Sequence, residues 1–453
     1  MKTTRKKLLS LMLASSMTVG LMSGFALTAQ ANGTSPTFSG GRGTSENPWK
    51  IATAADLKEL ATAVNDGNDY YGEYFRQVAD LDMNAETNIA PIGTLSAPFA
   101  GNYDAYGFEI SNVSISGVTT GEYTVSGLFG VITGKGSISN LTVNNATISA
   151  ISGNGTWDQA YAGGIAAFAE DGTVTNCTVR NSTITTAAST SSNTFAGGIV
   201  GFAASDNGET TLFTKCASEN NSVSSTGYGG GFIGAVISDG DVSFEDVYSA
   251  KNSVNAGTKS QAEIGAFLGA SQGGDITVKN CFIYDCNVSA ANSSGGKVGL
   301  FTADEYYGKV NASNSYYYDK NNLAVNAEQA VAKNEQEMKS LAATLGDAFE
   351  QGTAYPILKT PVMDAFAEYT QVGDYTGKDD VASAWTVTVT PGTYTIESLD
   401  VKVNGQGSDD GAWNGMNITS GTVTFAVAVN LAAVDVSSVT AVVNGSDVTT
   451  TFE

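Results

Sequence analysis

Two unlike motifs alternate through the middle of this chain, each returning every thirty-odd residues, and that double repeat restricts the chain to folds made of stacked, equivalent units. The first motif is Gly-rich and apolar. It reads SGLFG (126–130), GGIAAF (163–168), GGIVGF (197–202), GGFIGA (230–235), GAFLGA (265–270) and VGLF (298–301). Anchoring on Gly127, Gly164, Gly198, Gly231, Ala266 and Gly299 gives spacings of 37, 34, 33, 35 and 33 residues. The second motif lies between the copies of the first: SISNLTVNNATI (137–148), TVTNCTVRNSTI (173–184), LFTKCASENNSV (212–223), SFEDVYSAKNSV (243–254) and TVKNCFIYDCNV (277–288).

Inside each unit apolar and polar residues alternate, as in Val174, Cys177 and Val179 followed by Ile184, which marks short strands with one buried face. Helical periodicity is absent there. A unit of about 34 residues with three short strands and Asn/Gly corners cannot bury its apolar face alone, so each must rest on the next, one rung of about 4.8 Å at a time. The expected fold class is therefore all-β, a right-handed parallel β-helix with short capping helices, followed by a small immunoglobulin-like β-sandwich. In that geometry Leu141, Cys177, Cys216, Val247 and Cys281 stack inward, as do Leu128, Ile165, Ile199, Phe232, Phe267 and Leu300. Glycines beside the second stack suit close backbone packing that a Cβ would obstruct.

The GG-aliphatic-aliphatic-G-aromatic strand, paired with the IxNCxV strand, resembles the GLUG motif of bacterial secreted and surface proteins of adhesin-like character. The lead-in GTSENPWKIATAADLKEL (43–60), the stretch PFAGNYDAYGFEISNVSI (98–115) and the exit NEQEMKSLAATLG (334–346) with YPIL (355–358) resemble the same proteins. The resemblance implies a surface-exposed β-helical architecture and is weak on activity. The chain departs from the peptidase-bearing relatives in having no HExxH sequence.

The chain divides by pattern. Residues 1–31 begin with Lys2, Arg5, Lys6 and Lys7, continue with an apolar run and end on Ala29-Gln30-Ala31, the form of a secretory signal peptide. Residues 32–125 form a lead-in and cap, 126–320 the repeats, 321–362 a C-terminal capping helix and strand, and 363–453 the β-sandwich module. Thr53 with Asp56 predicts a helix start, and Leu57, Leu60, Ala61 and Val64 share one face of that helix. Met338, Leu341, Ala342 and Leu345 repeat the spacing at the other end, and both helices are expected to close the open ends of the solenoid.

Histidine is absent from all 453 residues, which removes Ser-His-Asp and Cys-His chemistry and His-ligated zinc. Without its four leading basic residues the chain has 18 Lys and Arg against 45 Asp and Glu, near −27, a charge that repels nucleic acid and anionic lipid. No apolar run after the leader is long enough to span a bilayer, so no integral membrane segment is expected after signal cleavage. The protein is expected outside the cell, secreted or associated with the envelope. The four cysteines are read as buried small hydrophobes in preference to disulfides, and no cofactor or metal is expected.

Candidate binding residues are few. Trp413 sits in the polar loop sequence SDDGAWNGMN (408–417), where an aromatic ring can be core or a stacking face for sugar. Tyr317, within Tyr316-Tyr317-Tyr318, lies in the last coil, and Tyr306-Tyr307 precede it. Asp241 and Asp275 fall at matching positions one rung apart, where a cation or plain solvation would relieve their repulsion. Neither pair amounts to a catalytic constellation. The reading is thus a non-catalytic, adhesin-like secreted or cell-surface protein whose repetitive polar face of Ser, Thr and Asn binds a glycan, extracellular-matrix or envelope polymer. Its rivals are an extracellular polysaccharide lyase or glycoside hydrolase on the same scaffold, and a structural spacer for the C-terminal module.

Overall fold

The computed structural model describes residues 38–360 apart from stretches 46–47, 88, 154, 156–157, 189–192, 257–261, 290–296, 306–308, 321–322 and 328; beyond 360 it describes only the backbone of the strands. The leader, residues 1–31, lies outside the described residues. Two compact units divide between Thr360 and Pro361.

The first unit is a parallel β-solenoid. One coil consists of Thr173–Thr175, Thr178–Arg180, Thr183–Ala187, Thr194–Gly197 and Val200–Ala204, each strand pairing in parallel with its counterpart one coil before and after. These five strands define five faces, called first to fifth in chain order. The pairing orders run unbroken along each face through six complete coils. Each coil therefore has five strands rather than the three that alternation predicts. The second motif alone supplies the first three, and the Gly-rich motif, which reads as one apolar strand, bends sharply in its middle and contributes to both the fourth and fifth faces.

That bend explains the glycines. Pairing aligns Gly163 with Gly197, Gly197 with Gly230, Gly230 with Gly265 and Gly265 with Gly299. At each of these positions the carbonyl oxygen three residues on folds back over the Cα, leaving no room for a Cβ. The true register is thus set by the first glycine of each pair, one residue before the anchor that spacing suggests in four of the coils. The inward stack through Leu128, Ile165, Ile199, Phe232 and Phe267 is fully buried. It continues to Phe301, whose ring lies 6.2 Å from that of Phe267, while Leu300 is buried beside it.

Asparagine holds most of the corners between the first and second and the second and third faces, with Lys215, Asp246, Lys251 and Asp285 taking the same left-handed conformation in other coils. Asn140, Asn176 and Asn280 turn the chain from the first face to the second with φ of 57, 53 and 54°, and Asn145, Asn181 and Asn220 turn it from the second to the third with φ of 54, 54 and 53°. Asparagine enters this left-handed region more readily than other side chains. Its amide also links the rungs: Asn176 Nδ2 donates to Asn140 Oδ1 at 2.8 Å, and Asn140 Nδ2 donates to Asp104 Oδ1 at 2.8 Å. Between the two corners Leu141, Cys177, Cys216, Val247 and Cys281 form one column, each with no exposed surface. All four cysteines are free and buried. Burial raises the thiol pKa of Cys177 and Cys281, so both stay protonated and inert.

Helix α1 (Ala54–Asn65) closes the N-terminal end. Thr53 and Asp56 form its capping box, and Leu57, Leu60, Ala61 and Val64 are buried in the main core. The C-terminal pair, α2 (Glu335–Lys339) and α3 (Ala342–Leu345), behaves differently from expectation. Met338, Leu341, Ala342 and Leu345 are buried, but in a separate cluster with Tyr248, Phe282 and Tyr284, whose side chains point outward from the second face. The helices lie along the flank of the solenoid. Leu323, Val325, Ala327 and Ala330 pack on the main core, and Val331–Ala332 pairs with the last strand of the second face, so this stretch covers the final coil.

The second unit is antiparallel. One sheet joins Ala367–Val372, Val381–Val389 and Gly421–Val429; the other joins Gln406–Asp409, Tyr394–Val403, Val436–Val443 and Ser446–Thr451, with Met416–Ile418 also paired to Tyr394–Val403.

Candidate functional site

Alternation along each strand sends one residue to the core and the next to solvent, so the outward residues of a face form straight columns down the solenoid. Those of the third face are uniform. Register places Ser114-Ile115-Ser116, Thr147-Ile148-Ser149, Thr183-Ile184-Thr185, Ser222-Val223-Ser224, Ser253-Val254-Asn255 and Asn287-Val288-Ser289 directly above one another. The middle residues are buried and the flanking ones are partly or fully exposed. Twelve outward positions on six rungs therefore hold only Ser, Thr and Asn. None is charged, in a chain of formal charge −23.

Two apolar features adjoin this array. Ile151 follows Ser149 on the same outward side and is 67% exposed. At the N-terminal end of the face a shallow groove of about 450 Å³ is lined by Glu86, Thr87, Ile89, Ala90, Ser114, Ser116 and Val118. Ile89 bridges to Ile115, so the floor of the groove continues the third face beyond its first full rung.

The first and second faces are built otherwise. Arg76 pairs with Asp104 and Lys279 with Glu245 along the first face; Arg180 pairs with Glu109, two coils apart, on the second. Outward aromatics dominate the later coils of the second face. The Tyr248 and Phe282 rings stack 4.7 Å apart at 7°, and Phe349 and Tyr355 from the C-terminal segment close over them. Glu219 accepts from the hydroxyls of Tyr248 at 2.6 Å and Tyr355 at 3.2 Å.

Outside the fourth and fifth faces lies another apolar cluster, with Tyr161, Phe195 and Tyr228 stacked at 5.0 Å and 10 and 7°, against Phe168 and Phe202. Glu170 ends a fifth-face strand beside it. Only 3% of this residue is exposed and its Oε1 has no hydrogen-bond partner. Burial, with Asp206 and Asp171 nearby, raises its pKa to about 7. Asp206 is also raised, by partial burial and by Asp171, Asp239 and Glu209. Glu170 was not legible as special, because its sibling positions hold Ala204, Ile237 and Gln272; that departure was the available signal.

The residues singled out by sequence fall apart in space. Asp241 and Asp275 are both exposed and occupy adjacent rungs at the start of the first face, Val242 donating to the Asp275 carbonyl at 3.1 Å. Tyr317 points inward and packs on the end of the main core, whereas Tyr316 and Tyr318 point outward and pack against the C-terminal segment. Tyr317 is therefore placed as end-of-core packing and not as an outward stacking face. Trp413 and Tyr306-Tyr307 lie outside the described residues. Among the described residues no three Asp, Glu or Cys side chains converge to hold a metal ion.

No established sequence family matches the chain. A Gly-rich membrane protein of Evansella cellulosilytica is 33% identical over 134 residues, covering 26% of this chain and 15% of that protein. Halomucin of Haloquadratum walsbyi is 32% identical over 119 residues, covering 24% of this chain and 1% of its own length. The chain thus spans a small fraction of the relatives it matches. Among the described residues no helix is long and apolar enough to cross a membrane.

Proposed function

We propose that this protein is a secreted, surface-associated binding protein of adhesin-like character, related to the GLUG-repeat proteins, with a non-catalytic solenoid as its binding scaffold and an immunoglobulin-like sandwich as its second unit. The single observation that carries the reading is the third face: six rungs of solvent-facing hydroxyl and amide groups with no charge among them. Each such group contributes on the order of 1 kcal/mol to a hydrogen-bonded contact, so useful affinity comes from repetition along a stiff surface. The partial likeness to proteins named as a membrane protein and a halomucin supports a place outside the cell.

The test is retention of the full chain on glycans, matrix proteins and isolated cell envelopes, with polysaccharide turnover followed in parallel. Binding without turnover is expected. Turnover abolished by Glu170→Gln, Asp241→Asn or Asp275→Asn would overturn the reading in favour of an enzyme; Glu170 is the group that favours this alternative, as a buried carboxyl whose pKa is raised to about 7, near the working pH of a general acid. Binding lost only with Trp413→Ala would leave the solenoid as a spacer.

A further inference from the structure

Resting on the binding reading above, we infer that the third face takes an extended, neutral polysaccharide lying lengthwise along the solenoid, across its rungs, with one end of the chain seated in the groove at the N-terminal end.

Three observations point to that occupant. The first is charge. The first and second faces of the same coils carry ion pairs such as Lys279 with Glu245 and Arg180 with Glu109, yet no outward position of the third face carries either sign. An acidic polymer would approach an acidic chain with no cation in the array to meet it, and a basic one would find no carboxylate there; Glu86 in the groove is already paired with Lys58 at 2.9 Å. A neutral ligand incurs neither penalty. The second is the match of groups. A hydroxyl both donates and accepts, as does every hydroxyl of a sugar, so a surface of Ser and Thr can satisfy a sugar whichever way its own hydroxyls turn. The third is apolar relief. Ile151 stands 67% exposed on this polar surface and Val118 and Ile89 line the groove, positions where the C–H face of a pyranose ring removes water from apolar atoms.

Geometry selects a ribbon over a coil. Every strand of the face pairs in regular parallel register, with no bulge, so the columns are straight and the array extends about 24 Å from first rung to sixth at ~4.8 Å per rung. A straight polymer meets one rung after another, whereas a helical one leaves the surface after a short contact.

The experiment uses the full chain and the probes microcrystalline cellulose, chitin and a soluble neutral β-glucan, with polygalacturonate and collagen as contrasts. Retention on at least one neutral polymer is expected. Placing two charges mid-array, Thr183→Glu with Ser222→Glu, should weaken that retention at least tenfold, while Thr277→Glu on the first face leaves it unchanged. Both altered residues are exposed, and unchanged thermal melts would show the fold intact. For soluble oligosaccharides the affinity should climb with length until the array is spanned. Retention on polygalacturonate or collagen alone would overturn this inference and leave the adhesive reading standing. So would neutral-polymer binding that ignores the double substitution. Retention on none of the probes would overturn the inference, and only failure on envelopes and matrix as well would overturn the broader reading.

Discussion

The second and third faces of this solenoid share a backbone geometry and opposite fates. On both, alternate residues point outward in columns one rung apart. On the second face the later columns are aromatic, Tyr248, Phe282 and Tyr284, and the chain returns to bury them under Met338, Leu345, Phe349 and Tyr355. On the third they are Ser, Thr and Asn, and they stay in water. The difference teaches that a rung's inward residues build the scaffold while its outward residues alone decide whether a face becomes internal packing or a surface for something else.

The comparison breaks most sharply at Phe282. It is fully buried between Tyr248, Phe349 and Tyr355, so Phe282→Ala should cost about 3–5 kcal/mol in a urea melt and expose the segment 335–358 to protease. A loss of less than about 1 kcal/mol would mean the second face is not sealed.

Glu170 blurs the contrast, being a polar residue buried without a partner. Its folded pKa, about 7, lies above the ordinary 4.5, so the folded state holds the proton more tightly than the unfolded chain does. The stability this confers is complete below pH 4.5 and is lost as pH rises through 7. Glu170→Gln should therefore match the wild type in acid and exceed it by roughly 3 kcal/mol well above pH 7. A stability difference independent of pH would place the carboxyl in water.

A smaller effect is expected at the corners. Asn176 holds φ of 53° and donates to Asn140, so Asn176→Ala should lose about 1–2 kcal/mol, and Asn176→Gly less. The smallest belongs to the open face: Thr183→Ala should move stability by under about 0.5 kcal/mol. A large loss there would show that the third face is covered like the second.

Much of the scaffold was legible because the period of two and the repeat of thirty-odd residues are local signals. Val174, Cys177, Val179 and Ile184 announce their inward direction by alternation, and all are buried. Thr53 with Asp56 announced α1 through a contact only three residues long. The neighbouring asparagines 220 and 221 show where such signals stop. They read alike, yet Asn220 is a corner with φ of 53° while Asn221 is buried, donating to the Val179 carbonyl at 2.9 Å and to Ser218 Oγ at 3.0 Å. No local pattern separates the two, since the partners come from another strand and another coil.

By itself the sequence determined that this chain winds into stacked parallel rungs and which side chains line most of the interior, because period, corner residues and caps act over a few residues. Only the tertiary structure decided that the Gly-rich motif bends into two strands, that α2 and α3 lie along a flank, and that one face remains bare. Those outcomes depend on what each outward column meets across the coil, and distance along the chain does not encode that.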